Sequence, residues 1–392
     1  ASLNIPTGGN ERHVLLMIPL IYVLYTMDNN IFLNSGLIRP ARSRLPVGSI
    51  VNPIFPAAVG MRSLGIMRLS SCLFGAFAQA LPDLIPCASG DGGPLINVRT
   101  TDVATGRKLM ANLDPITGGA GGTAFRDGTE GSGANFGFLK NTPVEINEAE
   151  VPVKILKYGL ERDSGGAGKW RGGNGTVLEF QTFSPNTTIT ARNRDRSHFT
   201  SWGAKGGAAG AVSSFFLNPG TDQEVNLGNT DVVTIAPGDI IRIASSGAGG
   251  WGDPLDRDPE RVLTDVRCGF VSLEAAKTDY KVVIRNDKIE VDETNTLRKE
   301  AKQNGFSHNG NGAFGFNQYR RDFEALWTPE NYDVLMKAIW RLPVDWRFFV
   351  KHQVFSRLKL LDDDARLGDG SEVMMILKDI AEEYPDVAQA LL

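Results

Sequence analysis

The sequence has few of the residues that most metal and catalytic sites require. It contains four histidines in 392 residues, His13, His198, His308 and His352. None belongs to a pair such as His-x-x-x-His or lies beside a cysteine pair, as zinc ligands do. No Ser-His-Asp or Cys-His combination is recognisable either. The sequence therefore predicts no metal ligands of its own and no familiar hydrolytic triad.

Cysteine and net charge are also low. The three cysteines, Cys72, Cys87 and Cys268, are odd in number and widely spaced. Such spacing fits a reducing compartment better than a disulfide framework. The formal charge of -4 comes from interspersed signs, which gives no reason to expect nucleic-acid binding. We therefore expect a cytoplasmic protein with no nucleic-acid partner.

Long uninterrupted apolar runs are missing as well. Residues 14–25 are apolar but contain Pro19, follow no basic segment and lead into no cleavage site. Residues 64–81 approach spanning length but carry Arg68 and Gln79. Both runs are predicted to be core helices, and no membrane association is expected.

Glycine is abundant, with 44 residues, and it is densest at residues 163–175. So much glycine indicates positive φ, or close approach to another backbone or a ligand. A Walker phosphate loop is excluded, because Asp163 occupies the first glycine position and Trp170 follows Lys169.

A second glycine-rich stretch covers residues 114–128. Part of it fits the dinucleotide fingerprint, but no β-branched strand precedes it and no βαβ pattern surrounds it, so that interpretation is rejected. Exposed amides at Gly119, Gly121 and Gly122 could instead bind a carboxylate or phosphate oxygen. Asp127 could bind a substrate amide or a partner residue. The alternative is an ordered loop that Asp127 caps.

Several motifs together resemble the hydantoinase B/oxoprolinase family. Residues 158–175, Tyr-Gly-Leu-Glu-Arg-Asp-Ser-Gly-Gly-Ala-Gly-Lys-Trp-Arg-Gly-Gly-Asn-Gly, are similar to its signature. So are the Asn-x-Gly-x-x-Arg-Pro run at 34–40, the Gly-Ser-Ile-Val-Asn-Pro-x-x-Pro-Ala-Ala-Val run at 48–59, the Asn-Thr-Pro-Val-Glu run at 141–145 and the ending at 247–254. The resemblance covers the carboxyl-terminal half of the family's body.

The resemblance implies partners and cofactors. Family members pair with a hydantoinase A-type ATPase subunit, which would bind ATP and Mg. The family's metal ligands lie in the amino-terminal half of the body, so a separate chain carrying that half would hold a divalent metal, Zn or Mn.

The resemblance and the local chemistry together suggest site residues. The catalytic candidates are Arg62, Asp127, Asn141 and Glu145, and the substrate- or anion-binding candidates are Asn34, Arg39, Gly119, Gly121 and Gly122. Arg62 lies between an apolar loop and an apolar helix, where an unpaired guanidinium would be costly. Turn formation and surface pairing are the alternative for Asn34 and Arg39, and a solvated acidic face is the alternative for Glu145.

The predicted fold is α+β in three regions. Residues 1–150 form a mixed α/β region, with a strand pair around 47–51. Residues 151–285 form a β-rich antiparallel module, a sandwich or barrel, with strands at 153–158, 176–183, 187–192, 212–217, 232–235 and 240–244. Residues 286–392 form a linker (289–304), a hinge (305–315) and a helical, aromatic-rich extension ending in one helix over 373–392. The aromatic residues of the extension serve either docking to another chain or its own core.

Three functions follow from the resemblance. The first is a subunit of an ATP-dependent ketone carboxylase of the acetophenone or acetone carboxylase type, whose tails the extension resembles. Arg62 and the 118–128 loop would then stabilise an anionic intermediate. The second is a subunit of an ATP-dependent hydantoinase, oxoprolinase or lactamase acting on a cyclic amide. The third is a non-catalytic assembly subunit.

Overall fold

The computed structural model describes residues 14–37, 39, 41–57, 62–113, 116–133, 140–192, 196–306, 314–362 and 366–391, without the side chains of 14–17, 62 and 63. The chain forms two compact units, Ala1–Phe316 and Asn317–Leu392. The α+β class is confirmed, with antiparallel sheets and a helical carboxyl terminus.

Two helices open the first unit. They are α1 (Val14–Met27) and α2 (Arg62–Ala80), and they contact each other through Tyr22 and Phe74, whose rings meet edge to face at 5.2 Å. Both apolar runs are thus helical, as predicted. Among the described residues, no helix is long and apolar enough to cross a membrane.

Turns, not strands, are found in the described residues between the two helices, 28–37, 39 and 41–57. The strand pair expected around 47–51 is wrong, and Ser49 and Asn52 form an isolated bridge instead. The Gly48 amide donates to the Asn52 carbonyl at 2.8 Å, and Gly48 adopts a φ of 82°. This left-handed conformation favours glycine and closes a tight turn, which leaves no length for paired strands.

A sandwich of two antiparallel sheets forms the centre of the first unit. One sheet has the order β2 (Lys108–Asn112), β1 (Leu95–Thr101), β5 (Thr187–Arg192) and β9 (Val232–Ile235). The other has the order β3 (Val153–Leu160), β4 (Thr176–Thr182), β10 (Ile240–Ala244), β7 (Ser214–Leu217) and β8 (Val225–Asn226). Side chains from both sheets share one core, including Ile96, Val98, Phe180, Ile189 and Ile243. The antiparallel module and its six predicted strands are confirmed.

The first sheet draws on residues from both sides of position 150. Strand β1 pairs with β5 in antiparallel register, from Leu95 opposite Arg192 to Arg99 opposite Thr188. The compact division falls after Phe316. The three-region division at 150 and 285 remains a prediction about the chain's organisation.

The predicted linker at 289–304 is wrong, because most of it is helical. The sandwich is followed by α4 (Pro259–Arg267), α5 (Leu273–Thr278), the hairpin β11 (Ile284–Arg285) and β12 (Lys288–Ile289), and then α6 (Val291–Gln303). The Arg298 guanidinium donates to the carbonyls of Tyr280 at 3.1 Å and Arg257 at 2.8 Å. The Thr294 hydroxyl accepts from the Val283 amide at 3.0 Å. These contacts join residues that are distant in sequence, so the many charged residues of this segment gave no sign in the sequence that it packs as a helix. Most of the predicted hinge, residues 307–313, lies outside the described residues, whereas β13 (Phe314–Gly315) pairs with β6 (Gly203–Ala204).

Extended segments rich in glycine pack together beside the sandwich. We call residues 87–90, 118–122, 164–173, 203–211 and 245–252 the glycine bundle. Within residues 245–252, backbone amides that lie three residues apart donate to carbonyls of the same neighbouring segment. The amides of Gly247 and Gly250 donate to the carbonyls of Ala211 and Ala208. The amides of Ala248 and Trp251 donate to the carbonyls of Gly173 and Trp170. A three-residue period without internal hydrogen bonds is that of the polyproline II helix.

Close backbone contact explains why the bundle needs glycine. A Cβ atom on Gly119 would lie 1.8 Å from the Gly173 carbonyl oxygen, and one on Gly247 would lie 1.7 Å from the Ser164 carbonyl oxygen. Neither carbonyl is the flexible end of a side chain, so neither can move aside cheaply. Close approach to another backbone, and not positive φ, is therefore the reason for glycine at these positions.

The second unit is a small helical bundle. Its helices are α7 (Gln318–Leu326), α8 (Pro329–Arg341), α9 (Val344–Leu360), α10 (Ser371–Glu383) and α11 (Pro385–Leu391). Trp327 is buried and stacks on Phe355 with ring centroids 4.1 Å apart, whereas Trp340 and Phe348 are 65% and 69% exposed. The aromatic residues thus serve the unit's own core in part. The single helix expected over 373–392 is wrong: α10 ends before Tyr384 and α11 begins at Pro385, since proline suits a first turn and not a helix interior.

Candidate functional site

A cavity of about 260 Å³ lies between the two opening helices and the glycine bundle. It is bounded on one side by α1 and α2 and on the other by residues 86–91 and 120–133. Its lining is Ile18, Tyr22, Ser70, Ser71, Phe74, Pro86, Cys87, Ala88, Ser89, Asp91, Ala120, Gly121, Thr123, Arg126, Thr129, Ser132, Gly133 and Trp202.

Asp91 is the buried charge in this lining. It is 2% exposed and adopts a φ of 45°, a conformation that aspartate tolerates better than most residues. Its carboxylate accepts a hydrogen bond from the Ser71 hydroxyl at 2.5 Å and pairs with the Arg68 guanidinium. A second guanidinium, of Arg196, lies 3.6 Å away.

Two arginines, Arg68 and Arg196, contact the Asp91 carboxylate, and neither belongs to the cavity lining. Arg196 is fixed by hydrogen bonds to the carbonyls of Gly90 at 3.1 Å and Thr200 at 2.9 Å. Arg68 and Ser71 are three residues apart in α2 and therefore lie on neighbouring parts of its surface. The two guanidinium groups fix the position of the Asp91 carboxylate in the lining.

The cavity also has hydroxyl groups and an aromatic wall. Ser89 donates to the Gly119 carbonyl at 2.9 Å, and Thr123 donates to the Arg126 carbonyl at 3.2 Å. Tyr22, Phe74 and Trp202 supply the apolar surface. A small molecule with a polar end and an apolar body matches such a lining.

Arg126 and Cys87 differ in what they can contribute. Arg126 is exposed, and its guanidinium has no hydrogen bond or ion pair with the residues that the structure describes. The Cys87 thiol is buried and donates to the Gly250 carbonyl at 3.1 Å. Burial raises the pKa of the Cys87 thiol far above its ordinary value, so at neutral pH it remains a thiol and not a nucleophilic thiolate.

Asn34 and Arg39 do not belong to the lining of this cavity. Arg62 begins α2, but its side chain lies outside the described residues. The Asn34 side chain accepts from the Gly36 amide at 2.8 Å, and the Arg39 amide donates to the Gly36 carbonyl at 3.2 Å. These contacts form a turn, which is the alternative to a binding role for both residues. Their binding roles remain predictions.

The three candidate glycines lie in the glycine bundle. The amides of Gly119 and Gly122 donate to the carbonyls of Ser246 at 3.3 Å and Gly249 at 2.9 Å. Gly121 lines the cavity. Anion binding by these three amides remains a prediction.

Asp127 is held by arginines. Its carboxylate receives two hydrogen bonds from Arg257, at 2.6 and 3.0 Å, and one from the Arg171 amide at 2.7 Å. Burial acts to raise the pKa of Asp127, but the contacts with Arg257 outweigh it and hold that pKa below its usual value. Asp127 is therefore ionised at neutral pH, and its contacts fit a residue that orders its loop. Its catalytic role stays a prediction.

Arg257 is the centre of a buried ion network. It is 2% exposed and also pairs with Asp265 at 2.8 Å. Burial raises the pKa of Asp265, against the opposing effect of Arg257. The network extends to Arg171, which pairs with Glu130 and joins the glycine bundle to α4. Such a network fixes geometry, because removing one partner leaves a buried charge uncompensated.

Asn141 and Glu145 lie at the start of another helix. Both are exposed, and Glu145 occupies the first turn of α3 (Val144–Glu150). There a carboxylate is favoured by the helix dipole. Neither residue lines the cavity, and their catalytic roles remain predictions.

Sequence reasoning missed Asp91 and Ser71 as residues of the cavity lining, and Arg68 as a partner of Asp91. One signal was available, since Arg68 is a charge in an otherwise apolar helix and needs a partner when that helix packs. Asp91 precedes two glycines and offered no comparable signal, because its partners are distant in sequence.

No metal site is evident in the part of the chain that the structure describes. No three histidine, cysteine, aspartate or glutamate side chains there are grouped so that they could hold a metal ion. The expectation of Zn or Mn on other residues of the complex is not tested by this observation.

Comparison with known proteins gives a consistent result. The sequence model of the Hydantoinase B/oxoprolinase family matches residues 3–254. A putative D-/L-hydantoinase component from Pseudomonas sp. is 29% identical over 304 residues, which cover 76% of this chain and 50% of that protein. The crystal structure of the ATP-dependent caprolactamase from Pseudomonas jessenii has a TM-score of 0.60 and 26% identity, and covers 76% of this chain and 53% of the other.

A structure of nucleotide-free acetone carboxylase has a similar fold. Its TM-score is 0.61 at 19% identity, with coverage of 90% of this chain and 52% of that chain. At this identity the likeness concerns the fold alone. The chain spans about half the length of these three relatives.

Proposed function

Because the chain belongs to the hydantoinase B/oxoprolinase family, we propose that it is a subunit of a multi-subunit, ATP-dependent ketone carboxylase of the acetone or acetophenone carboxylase type. Bicarbonate supplies the new carboxyl group in this reaction. ATP and Mg are held by a hydantoinase A-type ATPase subunit, and the amino-terminal half of the family body holds a divalent metal, Zn or Mn.

The cavity beside Asp91 is the observation that carries the proposal. Its lining includes the Arg126 guanidinium, which has no partner among the described residues, and the aromatic side chains of Phe74 and Trp202. An enolate formed from a ketone is an anion with apolar substituents, so it matches a guanidinium beside aromatic side chains. Fixed cations and donors stabilise charge that develops during reaction.

Other residues have defined places in this proposal. Arg126 binds the bicarbonate-derived group at the opening of the cavity, because its guanidinium has no partner among the described residues. Arg62 and the 118–128 loop stabilise the enolate. The apolar walls exclude water, which would otherwise hydrolyse an activated carboxylate.

The extent of the fold likeness supports the carboxylase. A match to 90% of the chain must reach beyond Phe316 into the helical second unit. The caprolactamase match, at 76%, is short enough to be contained in the first unit. At least part of the helical unit therefore has a counterpart in the acetone carboxylase structure, which supports the carboxylase.

Hydrolysis of a cyclic amide is the second candidate. It is favoured by sequence, since the caprolactamase is 26% identical and the acetone carboxylase 19%. The tetrahedral intermediate of amide hydrolysis is also an anion, so the same cavity would suit it.

The test is phosphate release from ATP by the natively purified complex. One panel supplies ketones with bicarbonate, and the other supplies hydantoins and lactams without it. Release that requires both a ketone and bicarbonate is expected. Release driven by a cyclic amide alone would replace the carboxylase with the amidohydrolase. If neither panel stimulates phosphate release, the chain is a non-catalytic assembly subunit.

A further inference from the structure

We propose that a second pocket, at the surface beside Lys205, binds the carboxylate product of the proposed reaction. The inference deepens the proposed function, on which it rests for the identity of the ligand as a β-keto carboxylate. It adds a binding site outside the cavity beside Asp91 and names Lys205 as the residue that recognises the product.

The second pocket follows the first cavity along α2. It has a volume of about 250 Å³, and we call it the Lys205 pocket. Its lining is Ala78, Gln79, Pro82, Ile85, Trp202, Ala204, Lys205 and Phe314. On α2, Ser70 and Phe74 line the cavity, whereas Ala78 lines the pocket. Residues four apart share one face of a helix, so the two spaces are neighbours on the same face of α2.

Trp202 is a wall common to both spaces. It is the one residue that the two described linings share. A Cβ atom on Gly75 of α2 would lie 3.8 Å from the Trp202 indole, and the Phe314 ring lies 4.5 Å from it between centroids. The Trp202 carbonyl accepts from the Ala88 amide at 3.1 Å, which holds its backbone in the glycine bundle. The indole therefore places the Lys205 pocket directly beside the proposed reaction site.

The charge of the pocket comes from Lys205. This residue is exposed, and its ammonium has no hydrogen bond or ion pair with the residues that the structure describes. Gln79, which is also exposed, adds an amide donor. The described lining contains no acidic residue. A carboxylate that enters the pocket therefore meets a cation and a neutral donor, with no like charge.

The backbone at Lys205 is one that lysine rarely adopts. Lys205 has a φ of 54° and Gly206 a φ of 95°, and the Gly207 amide donates to the Ala204 carbonyl at 2.9 Å. Asparagine, aspartate and glycine are the residues preferred in tight turns with positive φ at both central positions. A lysine in this conformation costs free energy, and such outliers are found where a side chain has a functional role.

The shape and charge of the pocket match the product of ketone carboxylation. Carboxylation exchanges a proton on the α-carbon of the ketone for a carboxylate, so the product keeps the apolar body and gains one negative charge. Trp202 and Phe314 offer an aromatic surface to the body, and Lys205 pairs with the charge. Hydrolysis of a cyclic amide gives an amino acid instead, whose ammonium would find no acidic partner in the described lining. The pocket therefore favours the keto acid.

Calorimetric titration of the natively purified complex with hydrocinnamate, a stable aryl carboxylate, tests the site. Lys205→Gln should weaken binding by about 10-fold or more, the loss of a charge-assisted contact. Lys205→Arg keeps the charge and should retain binding within about threefold. Lys154→Gln, at an exposed position of β3 outside the pocket lining, is the control and should leave binding unchanged. No binding to the unmodified complex, or equal affinity with Lys205→Gln, would refute the site.

A further variant separates the pocket from the cavity. Arg126→Gln alters the cavity lining and not the pocket lining, so it should leave the affinity for hydrocinnamate unchanged. Binding that is lost in Arg126→Gln and kept in Lys205→Gln would assign the carboxylate to the cavity and overturn the inference.

Two analogues of the probe test which ligand class the pocket takes. Hydrocinnamamide lacks the charge, and free phenylalanine adds an ammonium to the same skeleton. Each should bind the unmodified complex about 10-fold more weakly than hydrocinnamate, or weaker still. Equal binding of the amide would contradict recognition of a carboxylate by Lys205. Binding of phenylalanine as tight as that of hydrocinnamate would replace the keto acid with an amino acid.

The two proposals fail separately, because binding of the probe requires neither ATP nor bicarbonate. Binding that depends on Lys205, without phosphate release driven by a ketone and bicarbonate, would keep the carboxylate site and refute the reaction that supplies its ligand. Release driven by a ketone and bicarbonate, with binding that is independent of Lys205, would refute the site and keep the function.

Discussion

From the close backbone packing in the glycine bundle, we predict that Gly119→Ala strongly destabilises the protein. The added Cβ would lie 1.8 Å from the Gly173 carbonyl oxygen and 2.2 Å from its carbon. An ordinary contact is longer by about 1.5 Å, so the two segments must separate by nearly that distance. This separation would break two backbone hydrogen bonds, from the Gly173 amide to the Ala120 carbonyl at 2.9 Å and from the Gly90 amide to the Gly119 carbonyl at 2.8 Å. Strain and lost hydrogen bonds together should cost about 3–5 kcal/mol of unfolding free energy.

Gly159→Ala is the matched control. Gly159 lies in β3, and a Cβ there would meet nothing within 4 Å. Because its φ is not in the left-handed region, this change should be neutral or stabilising by up to about 1 kcal/mol. Urea unfolding followed by circular dichroism measures both variants. Equal stability of the two would refute close backbone packing as the reason for Gly119. Normal stability of Gly119→Ala with lost activity would instead favour anion binding by this amide.

Three further predictions concern buried charges and a buried thiol. Arg257→Met should lower the unfolding free energy by about 3–5 kcal/mol, because it leaves buried carboxylates without their partner. The control Arg267→Met, at an exposed ion pair, should change the unfolding free energy by less than about 1 kcal/mol. Equal losses for the two variants in urea unfolding would contradict the ion network. The pKa of Asp127 is lowered on folding, so its stabilising contribution is complete above its ordinary pKa of 3.8 and is lost as pH falls through the lower folded value. Asp127→Asn should therefore show a shallower loss of stability below about pH 4, and an unchanged slope would count against the assignment. In the native chain an aromatic disulfide reagent should label the two exposed cysteines rapidly and Cys87 only on unfolding; three rapid thiols would show that the bundle does not enclose Cys87.

The sandwich was accessible from sequence because its strands carry local signals. In β4, Leu178 and Phe180 are buried and alternate with Glu179 and Gln181, and turn residues separate most of its neighbours. Strands β1 and β2 were not predicted. The buried Ile96 and Val98 alternate there with the more exposed Asn97 and Arg99, so the same local signal was present in β1.

The site was less accessible because it depends on tertiary contacts. Asp91 meets Arg68 and Arg196, which lie on either side of it in sequence and far from it. The glycine content indicated that another group approaches these backbone segments closely. It could not indicate whether that group is a second backbone segment or a ligand. The helix α6 shows the converse case, in which charged residues that resemble a linker form a helix through contacts such as Arg298 with Tyr280.

Arg126 provides the most direct test of the proposed reaction site, because it lines the cavity and its guanidinium has no partner among the described residues. The measurement is incorporation of labelled bicarbonate into a ketone by the natively assembled complex that carries Arg126→Gln. Arg107→Gln, on the exposed turn between β1 and β2, is the control. We predict that Arg126→Gln lowers kcat/KM by about 100-fold or more, the loss of a charge-assisted contact in a partly enclosed site, with Arg107→Gln unchanged. Equal incorporation by both variants and the unmodified complex would contradict the assignment of the cavity as the reaction site.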